Sequence, residues 1–136
     1  MTEPENMRKQ YHSRWVGSDL QTWNVQRLTR LAKGQEPVLV PLTDITELDE
    51  LWWYQAENDV PTPRSLSEHM VLVQETDLTY PIILCQDGRL MDGMHRVVKA
   101  LLEGRNSIEA VKLIPTPTPD HVNIDVSTLD FTEDDV

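Results

Sequence analysis

The residues best suited to chemistry lie together in the run Asp92-Gly93-Met94-His95-Arg96. Apolar residues before this run predict a strand and those after it predict a helix, so the run is expected at a strand-to-helix corner. The first N–H groups of a helix lack partners within it, and together with the helix dipole they favour an anion. Gly93 allows close backbone approach, and the forked, permanently charged guanidinium of Arg96 can grip a phosphate. The corner is therefore predicted to bind phosphate.

A single compact α/β (α+β) domain, with a small mixed sheet flanked by helices, is predicted to position this corner. Asp87-Gly88 predicts a tight turn between two of its strands, and Ser65 with Glu68 matches a capping box at the start of a helix. The predicted strands are 38–42, 81–85, 89–91 and 108–114, and the predicted helices are 45–54, 65–76 and 95–103. The buried positions expected on the last two helices are Leu66, Met70, Val73, Val97, Val98, Leu101 and Leu102.

Both ends of the chain are expected outside this domain, which we assign to residues 37–114. Residues 1–36 predict an arm, mobile or briefly helical up to Val16, and then a helix from an N-cap at Ser18 to a stop at Gly34. Residues 115–136 predict an extended Pro-rich linker and an acidic tail. The tail either stays disordered or lies along the domain as an added strand.

The motifs in residues 38–114 resemble the core of the ParB/sulfiredoxin superfamily. At the corner, the partitioning proteins of this superfamily carry a Gly-Glu-Arg-Arg box, the sulfiredoxins a Gly-Cys-His-Arg box, and the free-serine kinases an Asp-Gly-His-His-Arg-like box. The resemblance implies a ParB/sulfiredoxin-like fold that binds nucleotide phosphates. The matching segments are Pro81-Ile82-Ile83, Asp87-Gly88, Asp92 to Arg96, Ala100, Gly104 and Ile108 to Lys112.

Similarity to the free-serine kinases implies binding of ATP or ADP, with magnesium arriving on the nucleotide, and phosphoryl transfer to a small hydroxyl compound. The candidate catalytic carboxylates are then Asp92, which would hold magnesium or orient the nucleophile, and Glu47, which would act as the base. A solvated carboxylate that complements a helix dipole is the other interpretation of Glu47. The candidate nucleotide-binding residues are Gly93, Met94, His95, Arg96, Arg64 (Pro63-Arg64 matches a pair in the partitioning proteins) and His69.

Two other interpretations of the corner stay open. In one, the protein is a non-catalytic module that responds to nucleotide or binds a protein partner. In the other, the corner is structural: Gly93 makes the bend, His95 caps the helix and Arg96 pairs with Asp92 or a nearby carboxylate. Sulfinic acid reduction is excluded, because the sulfiredoxin reaction needs a thiolate where this chain has Met94.

Composition limits the remaining functional classes. The net charge is −11, and residues 114–136 hold six acidic and no basic residues, so neither nucleic-acid binding nor a DNA partitioning role is expected. No long apolar run or apolar leader is present, which predicts a cytoplasmic protein without membrane contact. The four histidines lack zinc spacing, so no metal site is expected, and the single Cys85 is expected to be buried. A protein partner or a homodimer remains open.

Overall fold

The N-terminal part of the chain forms a β-hairpin where a helix was predicted. The computed structural model describes residues 10–55, 59–125 and 128–129, so the first nine residues of the predicted arm lie outside it. Strands β1 (Tyr11–Val16) and β2 (Asp19–Asn24) pair antiparallel. The prediction of a helix starting at Ser18 is wrong, because Ser18 belongs to the two-residue turn that joins these strands, a length typical of tight hairpins.

Helix α1 (Val25–Ala32) is the part of the predicted N-terminal helix that does form. Its N-cap is Asn24, whose side chain accepts a hydrogen bond from the backbone N–H of Arg27 at 3.1 Å. Val25, Leu28 and Ala32 are buried because they share one face of the helix.

A four-stranded sheet carries the corner. Its strands are β3 (Val38–Pro41), β4 (Ile82–Leu84), β5 (Leu90–Asp92) and β6 (Ser107–Lys112), in the spatial order β3-β6-β4-β5. Strands β4 and β6 run parallel, and the other neighbours run antiparallel. Each strand lies close to its predicted position, and the predicted α/β class is confirmed.

Both faces of this sheet are buried at strand β4. Side chains along a strand alternate between its two faces, so Ile82 and Leu84 enter one apolar cluster while Ile83 and Cys85 enter another. Helix α3 (Met94–Leu102) covers the first face through Met94, Val97 and Ala100. On the second face the sheet meets the hairpin and α1 through Trp23, Leu28 and Ala32. The predicted burial of Cys85 is confirmed.

Two details of the predicted helices are wrong. Helix α2 (Pro63–Glu75) begins before the predicted capping box, with Thr62 as N-cap and Pro63 in the first turn, where a missing N–H costs nothing. On α3 the face that packs on the sheet passes through Val97 and Ala100, so Leu101 and Leu102 are exposed. Of the positions predicted to be buried on α2, Val73 is buried and Leu66 is exposed.

Residues 45–54 do not form the predicted α-helix. Two short 3-10 turns, Leu42–Asp44 and Thr46–Asp49, are followed by irregular backbone. The adjacent residues Trp52 and Trp53 pack against different elements, the first against His12 of β1 and the second against His69 of α2. These tertiary contacts override the helical pattern of the segment.

The C-terminal tail adds a short strand to the hairpin. Strand β7 (His121–Val122) pairs antiparallel with β2, so strand addition is the outcome for this part of the predicted tail. Residues 126–127 and 130–136 lie outside the described residues. Within the described ranges, no helix has the length and apolarity needed to cross a bilayer.

Candidate functional site

The corner joins β5 to α3 through Gly93, which has a φ of +113°. A Cβ at this position would lie 2.7 Å from Cγ2 of Ile82 and 3.2 Å from its Cα. Glycine is therefore required by the bend and by the packing of the corner onto β4. The absence of a side chain at Gly93 was predicted to let a ligand approach the backbone. In the structure it lets the core residue Ile82 pack against the backbone.

Arg96 lies in the first turn of α3 and is largely buried. One of its terminal nitrogens lies 3.7 Å from a carboxylate oxygen of Asp92, and its guanidinium lies 5.7 Å from the centre of the Tyr80 ring. The Nε atom is buried and has no hydrogen-bond partner among the described residues. A buried, unpaired donor costs roughly 1–3 kcal/mol, so this atom favours an additional acceptor from outside the described residues.

A cavity of about 640 Å³ opens beside the corner. Its walls come from the hairpin, the Trp52-Trp53 segment, the end of α2 and the residues after it, and the corner itself. Its aromatic side chains are Tyr11, His12, Trp52, Trp53, Tyr80 and His95, and its charged side chains are Asp59, Glu75, Asp77, Asp92 and Arg96. Among the described residues, four carboxylates and one guanidinium thus line the cavity, so its net charge is negative when its histidines are neutral.

A cluster of three rings lies beside α3, and two of them, Trp53 and His95, line the cavity. Nδ1 of His69 lies 3.0 Å from Nε2 of His95, a hydrogen bond in which either ring can donate. The Trp53 indole stacks on both imidazoles, with ring centres 4.1 Å from His69 and 4.9 Å from His95. Each imidazole is therefore held in position by a ring face and by its neighbour.

Both histidines of this cluster have lowered pKa values. Burial lowers the pKa of His95 to about 4, helped by the neighbouring His69 and Arg96. Burial also lowers the pKa of His69, but Glu68 and Asp59 oppose this change by favouring its charged form. The pair is thus neutral at pH 7 in the free protein, and His69 has the more acidic surroundings.

A third histidine enters the cavity wall from the hairpin. His12 is 8% exposed and lies between Trp23 and Trp52, with ring centres 5.8 Å and 5.4 Å away. Burial lowers its pKa to about 4, with smaller contributions from Arg14 and Arg89. His12 therefore acts at pH 7 as a neutral aromatic group that fixes the hairpin against the Trp52 segment.

The structure brings most of the predicted binding residues together. Gly93, Met94, His95, Arg96 and Asp92 all line the cavity, and His69 joins them through His95. Arg64 is exposed in the first turn of α2 and does not line the cavity. The sequence did not predict that five further aromatic side chains line the cavity: Tyr11, His12, Trp52, Trp53 and Tyr80. Assigning residues 11–24 to a hairpin would have indicated the first two as lining residues.

Glu47 lies elsewhere. Its carboxylate is 1% exposed, accepts a hydrogen bond from the backbone N–H of Leu90 at 3.3 Å, and lies 3.4 Å from Nε of Arg89. It does not line the cavity. The alternative interpretation of Glu47, a solvated carboxylate at a helix start, is wrong, because the residue is buried in a 3-10 turn.

Among the residues that the structure describes, no group of three His, Cys, Asp or Glu side chains could hold a metal ion. Comparisons with protein families, with curated proteins and with solved structures find no match for the chain.

Proposed function

We propose that the cavity beside the 92–96 corner binds a nucleotide, ATP or ADP, with its phosphates at the start of α3. The observation that carries this proposal is Arg96, whose buried Nε lacks a partner in the described part of the chain while its guanidinium lies in the first turn of a helix. A forked cation beside unpaired helix N–H groups is a favourable site for phosphate oxygens. The resemblance to the ParB/sulfiredoxin superfamily supports the same ligand.

The size and lining of the cavity also support a nucleotide. Its volume of about 640 Å³ falls within the usual range for small-molecule sites. Aromatic side chains on the wall offer faces on which a base can stack. The acidic wall opposes a bare polyphosphate, so binding is expected to be tighter in the presence of magnesium.

Isothermal titration with ATP and ADP, with and without magnesium, tests this function. Arg96→Ala should weaken binding by roughly 10-fold to 150-fold, since a hydrogen bond to a charged group contributes about 1.5–3 kcal/mol. Arg30→Ala is the matched control, because Arg30 is exposed on α1 and outside the cavity. Equal losses in the two variants, or no nucleotide binding by the native chain, would contradict the proposal.

We favour a nucleotide-responsive binding module over a phosphotransferase. Phosphoryl transfer to an alcohol usually requires a carboxylate to orient or accept the hydroxyl proton, and the candidate base Glu47 lies outside the cavity. Asp92 lines the cavity, but its carboxylate faces Arg96. A screen for ATP consumption with small hydroxyl compounds, serine included, should find no turnover. Turnover that is lost in Asp92→Asn would instead support the kinase alternative.

A further inference from the structure

The hydrogen-bonded imidazoles of His69 and His95 are arranged to share an additional proton. Two neutral rings joined by one N–H···N bond become a cationic pair when one more proton binds, and the shared bond is then strengthened by charge. The distance of 3.0 Å between Nδ1 of His69 and Nε2 of His95 suits both states. Protonation therefore requires no movement of either ring away from Trp53.

The two rings occupy different surroundings. His95 lines the cavity next to the corner, whereas His69 does not line the cavity and lies on α2 between Trp53 and the edge of Tyr54. Charged groups from the elements around the pair are Arg96 on α3, Glu68 on α2 and Asp59 after the Trp52-Trp53 segment. Arg96 disfavours a proton on His95, while Glu68 and Asp59 favour one on His69.

The negative charge of the cavity wall favours uptake of such a proton. The described wall carries Asp59, Glu75, Asp77 and Asp92 against the single guanidinium of Arg96, which already faces Asp92. A phosphate chain placed here adds further negative charge beside His95. Nearby negative charge stabilises the protonated form of an imidazole, so a bound phosphate raises the affinity of the pair for a proton.

We infer that this site binds its phosphate ligand together with one proton, which the His69–His95 pair takes up. The inference rests on the proposed nucleotide function and adds a regulatory property to it: ligand affinity rises as the pH falls. Because uptake of one proton changes affinity by up to about tenfold per pH unit, acidification from pH 7.5 to 5.5 should strengthen binding by the native chain relative to a chain that lacks the pair.

Titration calorimetry of ADP and of inorganic pyrophosphate, without magnesium, measures this property. Performing each titration at pH 6 in two buffers of different ionisation enthalpy gives the number of protons taken up. His69→Asn is the test variant, because its amide can replace Nδ1 in the bond to His95 but cannot take a proton. His121→Asn, on β7 and outside the cavity, is the matched control.

We expect the native chain and His121→Asn to take up more protons per ligand than His69→Asn, in which only the His95 ring of the pair can titrate. Equal uptake in all three would overturn the inference and leave nucleotide binding intact. No binding of either probe between pH 5.5 and 8 would overturn both proposals. Imidazole NMR titration of the native chain gives a second measurement: pyrophosphate should move the midpoint of the pair upward by at least one pH unit, and an unchanged midpoint contradicts the inference.

Discussion

The carboxylate of Glu47 accepts a hydrogen bond from the backbone N–H of Leu90, 3.3 Å away, at the first residue of β5. Asp92 is the last residue of the same strand, about 7 Å further along at the usual rise of a strand. Glu47 therefore fixes the start of the strand that leads to the corner, while the cavity opens at the end of this strand. Glu47, which was predicted to be a catalytic carboxylate, is thus placed to stabilise the start of β5.

Replacing Glu47 should reduce stability without changing nucleotide affinity. Glu47→Ala leaves the buried N–H of Leu90 without its acceptor, which costs about 1–3 kcal/mol. Glu50→Ala removes the other carboxylate near Arg89, but this pair is about half exposed and should contribute less than about 1 kcal/mol. Urea unfolding of both variants measures the difference. Equal losses, or a Glu47→Ala protein that is folded but no longer binds nucleotide, would contradict the structural role.

Gly93→Ala should be among the most destabilising substitutions at the corner. A non-glycine residue with this φ costs about 1–2 kcal/mol, and overpacking against Ile82 adds about 1–3 kcal/mol. Gly88→Ala is the control, because Gly88 also has a positive φ, of +84°, but a Cβ there meets nothing within 4 Å. The expected order in thermal unfolding is native, then Gly88→Ala, then Gly93→Ala. A reversed order would show that contact with Ile82 is not the main constraint.

Those parts of the fold with one dominant local signal could be predicted from the sequence. The apolar strand before Cys85, the Asp87-Gly88 turn and the strand-to-helix corner all agree with their predicted positions within two residues. In residues 18–34 the local pattern was misleading. Four apolar residues there fit one face of a helix, namely Leu20, Trp23, Leu28 and Leu31, although the first part of the segment forms a strand. The segment forms a strand up to Asn24 because it pairs with β1 and β7. Such long-range pairing cannot be deduced from the local pattern of residues.

Sequence reasoning named the contiguous part of the candidate site and, outside it, His69. The five corner residues lie in one run, so a local motif identifies them. The relation between His69 and His95 depends on the packing of α2 against α3, and that of His12 and Trp52 depends on the hairpin. Neither contact can be deduced from the spacing of residues in the sequence, so the aromatic side chains of the cavity wall were not predicted.

Asp120 should be one of the residues through which the C-terminal segment stabilises the hairpin. One oxygen of its carboxylate accepts hydrogen bonds from the backbone N–H of Asn24 at 2.8 Å and from the Arg27 guanidinium at 3.1 Å. Both partners are near the surface, so Asp120→Ala should cost about 1 kcal/mol in urea unfolding. Glu36→Ala, at an exposed position before β3, should remain within about 0.5 kcal/mol of the native chain. Indistinguishable curves for the two variants would exclude this role.

His12 should make the protein less stable in acid. Its pKa is about 4 in the folded chain against an ordinary value of 6.5, so between these pH values the unfolded chain binds a proton that the folded chain does not. Its contribution is complete above about pH 6.5, declines as the pH falls, and is lost below about pH 4. The loss is on the order of 3 kcal/mol, since one pH unit of pKa difference corresponds to about 1.4 kcal/mol.

His12→Phe tests this pH dependence, because phenylalanine keeps a ring between Trp23 and Trp52 and cannot be protonated. Urea unfolding of both proteins at intervals from pH 8 to pH 4 should give parallel profiles above pH 7 and a shallower decline for the variant below pH 6.5. Both proteins retain His69 and His95, so the difference between the profiles isolates the contribution of His12. Profiles that stay parallel down to pH 4 would mean that His12 binds its proton as readily in the folded chain as in the unfolded chain.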